Sequence, residues 1–397
     1  MKRVAIIVSS PVTVKAFLID QIEALSRIYE VSLVLCPEKD DPLPVLNASV
    51  DVVTAPIVRH VSVLRDLQAI ISLVALFSRK RFDAIHSITP KAGLLVALAG
   101  TIARVPVRIH TFTGQVWVTR SGLARRVLKI LDKAIARLTT HVLVDSPSQR
   151  DFLMREGILS EQKSRVLAHG SICGVDTCRF RPDSESRKRI RQRLGIPDDA
   201  VVFLYVGRLK TDKGLLDLAE AFSRVAGDHS DAWLLIVGPD EENLRPRIES
   251  LCTAVRSRVR FVGLTNVPQE YMAAADVFCL PSYREGFGSV IIEAASAGLP
   301  SVASDIYGIT DAIQSGTTGL LHPAGDVNSL QLTMTRLLDD QCLRERMGEE
   351  ARVRAHRLFA KGLVTSALLG FYRAVLSRSD SPAVSKKVGT PRQPLPR

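Results

Sequence analysis

Two glutamates and two cations in the C-terminal half have the types and spacing to hold a sugar and neutralise a diphosphate. Glu285 and Glu293 are separated by seven residues in the run Pro281-Ser282-Tyr283-Arg284-Glu285-Gly286-Phe287-Gly288-Ser289-Val290-Ile291-Ile292-Glu293. The run follows the apolar segment Val277–Leu280, so it reads as a strand end, a glycine-containing loop and a helix whose first amides face an anion. From the loop Glu285 can reach a sugar, and two helical turns later Glu293 can accept hydrogen bonds from ribose hydroxyls. Taken alone, the pair also fits a helix-capping acid and a solvated one. Arg208 and Lys213 supply the context, in Val206-Gly207-Arg208-Leu209-Lys210-Thr211-Asp212-Lys213-Gly214. There a guanidinium and an ammonium on one loop can neutralise a diphosphate leaving group. Fixed cations of this kind meet developing charge without a metal, and no Asp-x-Asp run suits Mg²⁺ or Mn²⁺. We therefore expect no metal and no cofactor.

These loops need elements to hold them. Short apolar runs at Val4–Val8, Val31–Leu35, Asp51–Ala55, Ala84–Ser87, Val107–Thr111 and His141–Asp145 read as strands, with amphipathic stretches such as Val14–Ser26 and Val63–Ser78 between several of them. The pattern pauses across Arg179–Pro197. It restarts at Val201–Val206, Trp233–Val237, Arg258–Val262, Val277–Leu280, Ser301–Ser304 and Gly319–Leu321. Strand–helix alternation of this kind predicts an α/β protein of two Rossmann-like, doubly wound domains facing an interdomain cleft. The expected boundaries are 1–180 for the first domain and 181–376 for the second, which carries the C-terminal helices. A disordered basic tail is expected over 377–397.

In combination, Gly207-Arg208…Lys213-Gly214, Glu285-x7-Glu293 and Gly316-Thr317-Thr318-Gly319-Leu320-Leu321 resemble the retaining family-4 glycosyltransferases of the GT-B fold. The resemblance implies that Arg208 and Lys213 bind the donor diphosphate, that Glu285 contacts the transferred sugar and that Glu293 binds ribose. It also implies that the amides around Gly286, Phe287, Gly288, Ser289 and Val290 hold phosphate and sugar, with Val262 flanking the base. Members often carry a first-domain histidine near the cleft; here that position falls on Thr113, with His110 three residues earlier. His110 therefore has two readings, a catalytic one and a satisfied strand histidine. Ser9 and Ser10 stand where the family has a glycine-rich loop, on the acceptor side, and a plain turn fits them equally. Ser87–Gly93, Thr111–Gly122, Asp145–Gln149 and His169–Asp176 look like bacterial enzymes extending polyprenyl-diphosphate-linked saccharides, including N-acetylgalactosaminyltransferases.

Charge points the same way. The chain of 397 residues carries a net charge of +12, and residues 1–180 hold 24 Lys and Arg against 15 Asp and Glu. A basic first half suits a polyanion; with 5% aromatics and no basic–aromatic interleaving, nucleic acid is not the expected one. Along 120–138, Leu123, Val127, Leu131, Ala134 and Leu138 form one stripe and Arg126, Lys129, Lys133 and Arg137 another, which suits a helix lying on anionic lipid or a core helix with a solvated basic face. The six scattered cysteines fit reduced thiols, and no run of about 18 apolar residues predicts a span. The expected protein moves a hexose, an N-acetylhexosamine, from a UDP-sugar to a polyprenyl-diphosphate-linked saccharide in surface-glycan assembly. Its expected location is cytoplasmic, peripheral at the inner face of the plasma membrane. A soluble acceptor is the alternative; a UDP-N-acetylhexosamine epimerase or a silent scaffold subunit ranks below it.

Overall fold

The computed structural model describes residues 1–37, 46, 49–57 and 62–378. Its first sheet holds β1 (Arg3–Ile7), β2 (Glu30–Leu35), β3 (Asp51–Thr54), β4 (Ala84–Ser87), β5 (Val107–Phe112), β6 (His141–Val144) and β7 (Ser164–Val166). The order is β3-β2-β1-β4-β5-β6-β7, every pair parallel. A second parallel sheet joins β8 (Val201–Val206), β9 (Ala232–Val237), β10 (Val259–Val262), β11 (Val277–Leu280), β12 (Ser301–Ser304) and β13 (Gly319–His322) in the order β10-β9-β8-β11-β12-β13. Strands such as β4, β9 and β11 are buried along their whole length, which is why near-continuous apolar runs announce them. Each sheet reverses its strand order once, between β1 and β4 and between β8 and β11. A crevice forms at such a switch, outside the carboxyl ends of the strands. Both sheets are thus doubly wound, as expected.

The C-terminal helix departs from the expected division. The expected second domain, 181–376, takes in nearly all of the helix Lys361–Arg378, yet that helix's Leu368, Phe371, Tyr372, Val375 and Leu376 enter the first-lobe core beside Val4, Ile6, Leu33 and Ile109. The Tyr372 hydroxyl bonds His86 Nδ1 on β4 at 2.8 Å, and the other ring nitrogen bonds Thr111 Oγ1 at 2.7 Å. Helical spacing shows which face of a helix is apolar, not which lobe receives it. That helix also carries ordered structure to Arg378, past the expected start of the tail; 379–397 lie outside the described residues.

The basic helix Gly122–Leu138 buries Asp132, Ile135 and Ala136. The Trp117 indole N–H donates to Asp132 Oδ2 at 2.7 Å, and this pair fixes the inward face. The apolar stripe therefore splits: Leu123 and Val127 are exposed, with Ile130 beside them, while Leu131, Ala134 and Leu138 are half-buried. Among the basic residues Lys129 is not free, for it pairs with Glu156 and lies over the Trp117 ring.

Candidate active site in the cleft between the lobes

Two βα loops of the second lobe are brought together by a glycine. Gly214 has φ +69°, and a Cβ there would lie 2.0 Å from the Pro281 carbonyl oxygen, so only glycine lets the loop after β8 pack on the loop after β11. This approach sets Lys213 Nζ 2.6 Å from Glu285 Oε1, which also accepts from Ser282 Oγ at 2.9 Å. The glutamate predicted to touch sugar and the lysine predicted to hold diphosphate are therefore neighbours. Arg208 is half exposed and pairs with Glu241 at 3.4 Å. Gly288, with φ +75°, opens the helix Ser289–Ser296, so Ser289 and Val290 form its first turn, while Phe287 is buried against Phe359. Glu293 sits mid-helix, partly buried; burial pushes its carboxyl up to about 7, against the pull of Arg179. Val262 ends β10 beside Gly238, whose N–H donates to the Val262 carbonyl at 2.8 Å.

The first lobe closes over these loops. A Cβ on Gly286 would lie 2.8 Å from the Thr113 carbonyl carbon and 2.9 Å from both Gly114 N and Asp145 Oδ2. Ser146 Oγ donates to the Gly286 carbonyl at 3.0 Å while capping the helix Pro147–Arg155. That helix docks on the second lobe through Ser148 to Asp311 and Gly308, and through Phe152 stacked on Tyr307 at 4.5 Å. Thr113 thus stands at the seam. Ser9 and Ser10 are buried at the end of β1, with Ser9 Oγ 2.9 Å from Thr89 Oγ1.

His110 does not join them. It is 1% exposed, its Nδ1 lies 2.9 Å from Ser87 Oγ, and its ring packs where a Cβ on Gly93 would come within 2.4 Å of Cε1. Burial, with His86 nearby, pushes its pKa down to about 3. The catalytic reading of His110 is corrected to a core histidine.

Residues not singled out for a role also reach the seam. Arg284 pairs with Asp212 at 2.8 Å and reaches the Gly114 carbonyl at 3.4 Å, joining both second-lobe loops to the first lobe. Asp145 is 7% exposed, and burial raises its carboxyl to about 8. Its signal was a strand-terminal acid directly before a Ser-Pro helix start. Among the described residues no group of three or more His, Cys, Asp or Glu could hold a metal ion.

Two parallel-sheet, Rossmann-like lobes meeting at a cleft define a protein of GT-B architecture. Residues 186–354 match the glycosyl transferases group 1 family and residues 18–170 the glycosyl transferase 4-like domain; the chain belongs to these glycosyltransferases. It is 28% identical over 326 residues to the capsular polysaccharide biosynthesis glycosyltransferase CapM of Staphylococcus aureus, covering 82% of this chain and 85% of that one. It is also 28% identical to the UDP-Gal:alpha-D-GlcNAc-diphosphoundecaprenol alpha-1,3-galactosyltransferase of Escherichia coli, over 79% of this chain and 81% of that one. Among solved structures, sucrose-phosphate synthase from Thermosynechococcus elongatus superposes with TM-score 0.81 at 24% identity, covering 95% of this chain and 100% of that one. Anabaena HepE in complex with UDP-glucose superposes with TM-score 0.76 at 19% identity, covering 94% and 100%. The chain is a glycosyltransferase of the kind that builds bacterial polysaccharides.

Proposed function

We propose that this enzyme transfers an N-acetylhexosamine from a UDP-sugar to a polyprenyl-diphosphate-linked saccharide while resting on the inner face of the plasma membrane. The observation that carries the acceptor is a paired apolar and basic face on the first lobe. Helix Val63–Lys80 exposes Val63 (80%), Leu64 (82%), Leu67 and Ile71, and helix Gly122–Leu138 exposes Leu123 (75%), Val127 and Ile130. Both pack on the helix Pro90–Ile102 between them, so they share one side of the sheet. Exposed Arg126, Lys133 and Arg137 add attraction of about 1 kcal/mol each near anionic lipid. Among the described residues no helix is long and apolar enough to cross a membrane. The relative acting on a diphosphoundecaprenol acceptor supports this reading.

In the second lobe Arg208 and Lys213 take the diphosphate, Glu285 a sugar hydroxyl and Glu293 the ribose. The acceptor hydroxyl attacks the anomeric carbon on the face from which the diphosphate leaves, and its proton passes to the departing phosphate oxygen. The configuration at that carbon is kept. Lobe contact at Gly286 excludes water during the step, and the protein's own cations stand in for a metal. A soluble acceptor is the second reading, favoured by the 30% identity to a D-inositol 3-phosphate glycosyltransferase.

The test is transfer from a panel of UDP- and GDP-sugars to polyprenyl-diphosphate saccharides in membranes, with and without EDTA, and with Glu285→Ala. Turnover of one UDP-N-acetylhexosamine that survives EDTA and vanishes in the variant is expected. Donor hydrolysis with no lipid product would overturn the lipid acceptor.

A further inference from the structure

Two ion pairs stand side by side between the loops after β8 and β11. Lys213 meets Glu285 at 2.6 Å, and the residues directly before them, Asp212 and Arg284, meet at 2.8 Å through Oδ2 and Nη2. All four side chains are largely buried, between 15 and 24% exposed. The second pair is only half made. A guanidinium grips a carboxylate most firmly through two parallel bonds, and Nε lies beside Nη2 on the edge that can make them. Arg284 Nε and Asp212 Oδ1, the donor and the acceptor that the second bond needs, are both buried with no hydrogen-bond partner. Buried polar atoms left unserved call for an explanation.

The explanation lies in what a bound donor does to the other pair. With Lys213 drawn to the diphosphate and Glu285 to a sugar hydroxyl, the bond between them no longer ties the two loops. What still ties them is the Tyr283 N–H donating to the Asp212 carbonyl at 3.0 Å, the packing of Gly214 on Pro281, and the Asp212–Arg284 pair. Of these, the last continues into the first lobe, where Arg284 Nη1 donates to the Gly114 carbonyl at 3.4 Å. We propose that Asp212 and Arg284 are positioning residues for transfer: their pair closes its second bond as the donor separates Lys213 from Glu285, and so holds both against the reacting sugar while the first lobe is docked at Gly114. Each acts through its neighbour in sequence. The inference rests on the nucleotide-sugar reading of the second lobe.

The experiment takes the donor that the full-length chain uses fastest in the transfer panel above, and reads kcat as nucleoside diphosphate released. The affinity for that same nucleoside diphosphate, UDP or GDP, is measured by calorimetry. Arg284→Met and Asp212→Asn are each expected to lower kcat about ten- to a hundredfold, the cost of a displaced reacting group, while the nucleotide affinity stays within about threefold. The double variant should fall no more than about threefold below the slower single one, because the two members of one pair do not add. Arg284→Lys keeps the charge without the fork and should still be slower than wild type by about fivefold or more. Should Arg284→Met fail to fold, Arg284→Lys and Asp212→Asn are read in its place. Wild-type kcat in the single variants, losses that multiply in the double, or kcat and nucleotide affinity falling together would each overturn the proposal; wild-type kcat in Arg284→Lys would overturn the two-bond pair. A wild-type chain that binds neither UDP nor GDP overturns the donor reading itself, and the proposal with it, before any variant is made.

Discussion

Gly286→Ala isolates lobe closure from donor binding. The added methyl would lie 2.8 Å from the Thr113 carbonyl carbon, 2.9 Å from Gly114 N and 2.9 Å from Asp145 Oδ2. Ordinary carbon contacts need about 3.5 Å, so the shortfall is roughly 0.6 Å on three sides. Two of the three neighbours are backbone atoms, which cannot swing aside. Overpacking of this kind costs about 1–3 kcal/mol, and because the clash lies between lobes, opening them relieves it. At 1.4 kcal/mol per tenfold, the closed-to-open ratio falls about 5- to 150-fold. Gly114→Ala is the graded control: its methyl would meet Gly286 N at 3.2 Å and Arg284 Nη1 and the Glu285 carbonyl carbon at 3.3 Å. That milder contact predicts a loss under about fivefold. The assay is kcat for transfer, with small-angle scattering in saturating donor to follow lobe separation and calorimetry to show that UDP still binds. Wild-type turnover by Gly286→Ala, or a greater loss in Gly114→Ala, would refute the closed seam.

Three further outcomes are expected. Lys213→Met leaves Glu285 with only the Ser282 hydroxyl and removes a fixed cation from the leaving group; transfer should fall about 10²- to 10³-fold, and a loss under fivefold in kcat would exclude Lys213 from that role. Tyr372→Phe deletes the hydroxyl serving buried His86 and should cost about 1–3 kcal/mol in denaturant unfolding without moving UDP affinity; unchanged unfolding would show the bond carries nothing. Glu293 gives a pH signature, because burial raises its folded pKa to about 7, above the unfolded value of about 4.3. The folded state then holds the proton more tightly, so this contribution is full below the unfolded pKa and is lost as pH rises through about 7. Between pH 5 and 8 the wild type should lose more thermal stability than Glu293→Gln, and parallel pH profiles would contradict the assignment.

Much of this molecule could be read from residue order. Strands β8, β11 and β12 begin and end where the apolar runs do, because a strand buried on both faces has nothing but its composition to show. Strand β7 escaped notice, since Ser164-Arg165-Val166 at a sheet edge carries no apolar run. The Lys213–Glu285 contact was foreseeable as chemistry, though its cause, the Gly214 approach to Pro281, is a fact of packing. His110 misled because a polar residue beside a loop motif looks functional. What decides its fate is Gly93, seventeen positions earlier, whose missing side chain makes room for the ring. The destination of the last helix was hidden likewise: the partners of Tyr372 lie nearly three hundred residues upstream.

That last helix imposes an order on biosynthesis. A ribosome that has released β1 to β7 has made every strand of the first sheet but not Leu368, Phe371 or Tyr372, so Val4, Ile6 and His86 still lack part of their cover. Domains emerging from the ribosome generally fold N-terminal first. Here the second lobe, complete in its own sheet, can pack before the first one is sealed. The nascent first sheet must wait with an open apolar flank through the synthesis of the whole second lobe, and chaperones would find their substrate there. Truncations that remove Lys361–Arg378 would unseat the lobe at the opposite end of the chain.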